Sequence, residues 1–335
     1  MSSTSSTISL RRSCQACAKV KRRCDRLIPK CSRCSTKGIN CEYVNAPLAA
    51  GMTSKIQKQK PIRAITSIPP SLDMEILKTF EPSIVRFIVN GMRDFPNAFA
   101  RDVKTSFIHP DLYDNLSLPG PIQDLHIICA SYNANPSSQL LCRVLKQKSA
   151  EIRRQAARAS TFEDLLVCIQ ALVLAQCILV FDRPENDDQY LESTTNMLTG
   201  LAWKLWQQAP IQLPHTLSPR RAWLLAESVR RTIIVAYILR SAYSFDKRNY
   251  SVRTPFIEAL PFDVRTSLWD APAENWEEAA VTSQSSMVSL REYSGMLESG
   301  RVHGISAFGN LILAACKGKT AATVQFPSRH PTLVS

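Results

Sequence analysis

The chain has 335 residues, 45% of them hydrophobic, which is enough for one sizeable core and a small extra module. Its net charge of +13 is unevenly spread: residues 1–60 hold 13 Lys/Arg against only Asp25 and Glu42. A basic block joined to a near-neutral body points to a polyanion-binding module on a globular domain, and the first residues, MSSTSSTISLRRS, lack the basic-then-apolar order of a secretory signal.

Residues 1–13 read as a disordered tail. The next stretch, SCQACAKVKRRCDRLIPKCSRCSTKGINC, holds Cys14, Cys17, Cys24, Cys31, Cys34 and Cys41, six of the eleven cysteines. Their spacing is C-x2-C-x6-C written twice. An intracellular chain keeps its thiols reduced, so a disulfide knot is disfavoured. Burial as small apolar side chains is disfavoured too, because Lys, Arg and Ser surround them. Metal binding fits: C-x2-C turns give two thiolates to one zinc, and thiolate selects zinc over hard cations. Six thiolates can serve one tetrahedral site with two to spare, or two sites if two thiolates bridge. The internal repeat favours two equivalent metals, and the neighbouring cations would offset the surplus negative charge.

Residues 14–41 resemble the DNA-binding domain of the fungal binuclear zinc cluster transcription factors, and Pro29 sits where that family usually has a loop proline. The resemblance implies two Zn2+, with Cys14 and Cys31 bridging. One zinc would take Cys14, Cys17, Cys24 and Cys31; the other Cys14, Cys31, Cys34 and Cys41. It also implies double-stranded DNA as partner, nuclear localisation and control of RNA polymerase II genes, those of a secondary-metabolite biosynthetic cluster.

Between Cys17 and Cys24 the chain reads AKVKRR; between Cys34 and Cys41 it reads STKGIN. Each is expected to form a short helix after its C-x2-C turn. The first, with four cations, is the natural DNA reader. By resemblance it enters the major groove at a CGG-like triplet and Lys21 makes the main base contact, a lysine–guanine pairing. Lys19, Arg22 and Arg23 are assigned to phosphates. Ala18 and Val20 stand where the family often has basic residues. The run KVKRR would also serve nuclear import.

Residues 42–72, with Pro47, Pro61, Pro69 and Pro70, read as a linker without a/d heptads. A homodimer would therefore lack an evident coiled coil; monomeric binding, or dimerisation through the body, stays open.

Residues 73–320 are expected to be an all-helical regulatory domain, giving a mainly α fold, and 321–335 a disordered tail. Helices are predicted over 73–80, 83–93, 122–132, 137–159, 161–182, 187–208, 218–243 and 285–317. Leu140, Leu141, Val144, Leu145 and Ile152 should share the buried face of 137–159. Thr161 should cap the helix that follows it, and Ser218 with Pro219 should open 218–243, whose Ala222, Leu225, Val229 and Ile233 face the core. The apolar run 165–181 contains Gln170 and Gln176 and reads as a core helix, with no membrane span. SPRRAWLLAESVRRTIIVAYILRSAY (218–243) and LPFDVRTSLWDAP (260–272) loosely resemble the C-terminal regions of the same regulators, which implies co-activator contacts through this domain.

No catalytic array is present. Cys129, Cys142, Cys168, Cys177 and Cys316 have no ligand spacing and read as buried thiols. The five histidines form no HExxH, and GISAFG (304–309) has one residue too many for a nucleophile elbow. Trp203, Trp206 and Trp223 read as core. ENWEE (274–278) reads as a solvated loop, with a co-activator contact as the sharper option. The leading reading is a non-enzymatic DNA-binding regulator. A broad-acting regulator and a zinc-containing RNA-binding protein stay open.

Overall fold

The structure is a computed structural model that describes residues 13–25, 30–42, 75–78, 80–113, 118–135, 139–181, 188–210, 216–253, 255–282, 287–302 and 304–324. Pro29, the expected linker beyond Glu42 and most of both expected tails lie outside the described residues. The chain divides into two compact units, Met1–Thr66 and Ser67–Ser335.

The small unit contains α1 (Gln15–Lys19) and α2 (Ser32–Thr36). Each starts on a cysteine N-cap: Cys17 N donates to Cys14 Sγ and Cys34 N to Cys31 Sγ, both at 3.4 Å. The helices therefore span the C-x2-C motifs instead of following them, as the sequence reading had placed them. A thiolate-rich cap satisfies the first-turn N–H groups, and the next residues leave the helix. Lys21 (φ 48°) and Gly38 (φ 61°), 17 residues apart, both adopt the left-handed conformation. Arg22 N then donates to Cys17 O and Ile39 N to Cys34 O, both at 3.0 Å. One backbone frame is thus written twice.

The large unit is built from α3 (Pro82–Asp102), α4 (Gly120–Ala134), α5 (Gln139–Arg158), α6 (Phe162–Phe181), α7 (Asp188–Gln208) and α8 (Pro219–Arg248), with shorter helices α9 (Pro255–Ala259), α10 (Trp276–Thr282), α11 (Leu290–Glu298) and α12 (Ala307–Lys317). Two short antiparallel pairs join them: β1 (Glu75–Lys78) with β2 (Tyr250–Arg253), and β3 (Pro261–Asp263) with β4 (Met287–Ser289). The mainly helical reading holds. Helix α6 is the hub, packed on α3, α4, α5, α7 and α8, and every residue from Leu165 to Phe181 is buried except Val167. Its polar side chains are matched. Gln170 Nε2 donates to Phe107 O at 2.9 Å, and Thr194 Oγ1 donates to Gln176 Oε1 at 3.1 Å. A buried amide with partners costs little, whereas an unpaired one costs about 1–3 kcal/mol.

Three local expectations change. Residues 75–78 form β1 instead of a helix, because their backbone groups pair with β2 far along the chain, a contact no local pattern reveals. Pro82 then opens α3 at its first turn, where its missing N–H costs nothing. The span 285–317 is broken: β4 leads into α11 through a Ser289–Glu292 capping box, and Gly300 and Gly304 take positive φ before Ser306 caps α12. On α5 the buried face is Leu141, Cys142, Leu145, Ser149, Ile152 and Ala156, while Leu140 is 70% exposed and Val144 also faces out. The caps hold as read: Asp164 N donates to Thr161 Oγ1 at 3.1 Å and Arg221 N to Ser218 Oγ at 3.3 Å. Val229 and Ile233 of α8 are buried and Ala222 and Leu225 half-buried, within a much wider buried face.

His109 locks the loop after α3 to the turn Thr266–Trp269. Its Nε2–H donates to Trp269 O at 3.1 Å, Asp111 N donates to Nδ1 at 3.3 Å, and Trp269 Nε1 donates to Thr105 O at 3.0 Å. Burial, aided by Lys104 and Arg220 and opposed by Asp111 and the Trp269 carbonyl, pulls the imidazole from 6.5 down to about 4. The folded state thus prefers neutral His109. Its contribution is whole above the unfolded value of 6.5 and is lost as pH falls through 4. We expect unfolding, followed by tryptophan fluorescence, to lose up to about 1.4 kcal/mol per pH unit from this group over that window. His109→Gln should be less stable at neutral pH and have a flatter profile; parallel profiles would refute the assignment.

Candidate metal centre and nucleic-acid interface

The repeated frame of the small unit aims its cysteines at one point. Cys14, Cys17, Cys31 and Cys34 are fully buried and Cys24 and Cys41 partly so. The sulfur separations are 3.9 Å for Cys14–Cys31 and 3.7 Å for both Cys14–Cys34 and Cys17–Cys31. These are far beyond a disulfide bond. They match the edge of a tetrahedron with zinc–sulfur bonds of about 2.3 Å, whose ligands lie about 3.8 Å apart. The sulfurs form two groups that could each hold a metal ion, Cys14/Cys17/Cys24/Cys31 and Cys14/Cys31/Cys34/Cys41, and within each group all lie within 4.8 Å of one another. Cys14 and Cys31 belong to both. The residues present therefore fit two zinc ions.

Electrostatics favour the same filling. Burial is the largest influence on the Cys14 thiol and pushes it well above its ordinary value. At Cys31 the Cys34 amide pulls down, but burial and neighbouring sulfurs win, to about 12. A cation in place of the protons reverses this balance, since the thiolate is the ligand form.

Three supporting residues escaped the sequence reading. Arg33 turns inward, and its Nη1 donates to Cys17 Sγ at 3.7 Å, so this cation serves the cluster instead of solvent. Asp25 accepts from Ser32 N through both oxygens at 3.1 Å, satisfying a first-turn donor of α2. Glu42 O accepts from Gln15 N at 2.8 Å and closes the two ends of the module. The only sequence signal was position: an acid shortly before the second C-x2-C, and an arginine inside it.

The predicted DNA contacts fall on one rim. Lys19 ends α1, Val20 follows as its C-cap, and Lys21, Arg22 and Arg23 come next; all five side chains are exposed. At the equivalent places of the second repeat stand Thr36, Lys37, Gly38, Ile39 and Asn40. The frames match, but the rim charges do not. A lysine in the left-handed conformation costs about 1–2 kcal/mol that glycine does not, so Lys21 is held there by the Cys17–Arg22 turn.

The large unit presents no comparable array among its described residues. Cys129, Cys142, Cys168 and Cys177 are buried and Cys316 half-buried. His215, His303 and His330 lie outside the described residues. Ser306 of the GISAFG stretch is a helix cap that accepts from Gly309 N at 3.1 Å. Within 274–278, Trp276 is buried beside Trp223 at 5.9 Å, while Glu274 and Glu277 are exposed. Trp206 and Trp223 are half-buried; Trp203 is 43% exposed and edge-on to Phe256 at 4.5 Å.

Residues 12–49 match the Fungal Zn(2)-Cys(6) binuclear cluster domain. The chain is 25% identical to a protein named Transcription factor gsfR2 from Penicillium aethiopicum, over 93% of this chain and 94% of that one. It is also 57% identical over 35 residues to a protein named Geodin cluster transcription factor from Aspergillus terreus, a match covering 10% of this chain and 15% of the relative. No solved structure matches the chain significantly. Elemental analysis of purified protein should find two zinc ions per chain. A strong chelator should collapse the amide NMR signals of 14–41 while those of α3–α8 keep their dispersion; unchanged signals without metal would show that zinc does not hold the module. The N-terminal segment of this chain is a fungal Zn(2)-Cys(6) binuclear cluster domain, and it binds two zinc ions.

Proposed function

We propose that this protein is a nuclear, sequence-specific transcription factor. Its zinc module, 14–41, binds double-stranded DNA in the major groove at CGG-like triplets, with the six cysteines as the zinc ligands. Residues 42–72 are the linker, and the helical unit 73–320 is regulatory and non-enzymatic, meeting co-activators or a second copy of the chain. The controlled genes are RNA polymerase II genes, those of a secondary-metabolite biosynthetic cluster.

The observation that carries this reading is the exposed rim of Lys19, Lys21, Arg22 and Arg23 on a metal-held frame whose second copy lacks those charges. Lysine donating to guanine O6 and N7 is a specific contact, and flanking cations reach phosphates. Residues 14–41 contain no aromatic residue, and Tyr43 stands alone just beyond them, so base stacking on single strands is a poor alternative. The printed names of the two relatives, both transcription factors and one of a named cluster, support the regulatory role and the class of target.

Gly38 offers a clean test of Lys21. Lys21→Gly removes the side chain at a position whose twin is already glycine in the same conformation. It should keep two zinc ions and equal or exceed wild-type stability. Its affinity for a CGG-bearing duplex should fall by about 5- to 150-fold, toward that for scrambled DNA. Arg22→Gln and Arg23→Gln should weaken both duplexes alike and lower the salt slope by about one each. Equal binding of both duplexes by wild type, or full discrimination by Lys21→Gly, would sink the assignment.

A further inference from the structure

Helix α8 carries a buried cation whose hydrogen-bonding capacity its neighbours do not exhaust. The Arg231 side chain is 2% exposed. Its Nε donates to Glu227 Oε1 at 2.9 Å and its Nη1 to Ser106 O at 3.2 Å. Its guanidinium carbon lies 4.2 Å from the Trp269 ring centroid and 4.9 Å from that of Phe308. Nη2 is buried and has no hydrogen-bond partner. A guanidinium has five N–H donors, and a buried one left unmet is costly.

The local charge is also unbalanced. Glu227 is fully buried, and Arg230 Nη2 reaches its Oε2 at 2.8 Å. Two guanidiniums thus share one carboxylate. The adjoining Arg265–Asp263 pair, at 2.7 Å, already balances itself. Glu227, Arg230 and Arg231 together carry one surplus positive charge; Arg230 is half-buried and reaches solvent, so the fully buried member with spare donor capacity is Arg231.

A cavity of about 340 Å³ opens against Arg231. Phe95 and Ala98 of α3, Thr105, Thr266, Trp269 and Phe308 form its walls. The first residue of α12 and its N-cap, Ser306, also border it, so the positive end of an eleven-residue helix faces the same space. Three acids stand at the exposed mouth: Asp94, Asp102 and Asp270. Lys104 pairs with Asp270 at 2.8 Å and Arg101 with Asp102 at 2.9 Å. Acids at the mouth oppose a highly charged anion; an orphan donor, a surplus positive charge and a helix N-terminus inside favour a singly charged one. The aromatic walls favour an apolar body.

We infer that this cavity binds a small monocarboxylate built on one ring, with its carboxylate on Arg231 Nη2 and the α12 N-terminus and its ring against Phe95 and Phe308. The site lies within the helical unit and does not depend on how the zinc module reads DNA.

Full-length, zinc-loaded protein titrated with benzoate tests it, with neutral benzamide as the matched control. Benzoate should bind saturably, one per chain, perturb tryptophan fluorescence through Trp269 and raise the unfolding midpoint. Benzamide should bind about tenfold or more weakly. Ala98→Phe fills the cavity without touching Arg231 and should weaken benzoate by about tenfold or more without lowering the midpoint. Arg231→Met paired with Glu227→Gln removes both charges together and should erase the preference for benzoate over benzamide. No saturable binding by wild type, equal binding by Ala98→Phe, or equal affinity for benzoate and benzamide would each overturn the proposal. So would a crystal structure grown with benzoate in which a buried water alone meets Nη2.

Discussion

Two sulfurs, those of Cys14 and Cys31, each belong to both tetrahedral groups, and the small unit depends on this sharing. A module of about 30 residues cannot bury enough apolar surface to offset its chain entropy. Among its described residues the fully buried hydrophobic side chains are four cysteines, with no aliphatic or aromatic core beside them. Convergence of six thiolates on two metals replaces that core, and the rest is fitted to it. The helices begin on the shared cysteines, Arg33 turns inward toward the sulfur charge, and Asp25 and Glu42 satisfy backbone donors beside the cluster. The exposed side chains of Lys19, Lys21, Arg22 and Arg23 then need no structural duty.

The zinc module was legible because its chemistry is local. Spacing alone named the six cysteines and grouped the cations. What spacing could not show was backbone conformation. The helices lie on the C-x2-C motifs, and Lys21 sits past the helix in a left-handed turn, because the cysteine sulfurs themselves act as caps. In the helical unit, long periodic stretches were readable: α6, α7 and the start of α8 fall where the pattern placed them. Short segments were not. Glu75–Lys78 becomes a strand only because Tyr250–Arg253 lies alongside it, and Leu140 looks like core until α4 and α6 select the Leu141 face of α5. Such outcomes are decided by partners distant in sequence.

Polar residues inside the helical unit fall into two kinds. Gln170 and Gln176 are matched by carbonyl and hydroxyl groups of neighbouring elements, which fixes the rotation of α6 among five helices. Glu227 is matched on both carboxylate oxygens by Arg230 and Arg231, but Arg231 is only partly matched. Matched polar groups specify packing; the unmatched arginine marks where the unit has binding capacity to spare.

The 17-residue repeat has a consequence for how such a module changes over time. Both halves share one backbone, and the metal-holding residues are separate from the rim residues. Positions 19–23 can therefore vary in sequence, and in charge, with little effect on the metal-holding frame. Only Lys21 carries a conformational penalty, because the frame demands a left-handed turn where Gly38 sits in the other half. Position 21 is thus where the first repeat carries a lysine and the second carries glycine in the same conformation. Charge and backbone ease are thus opposed at this one position: glycine there would relieve the turn and remove a cation together.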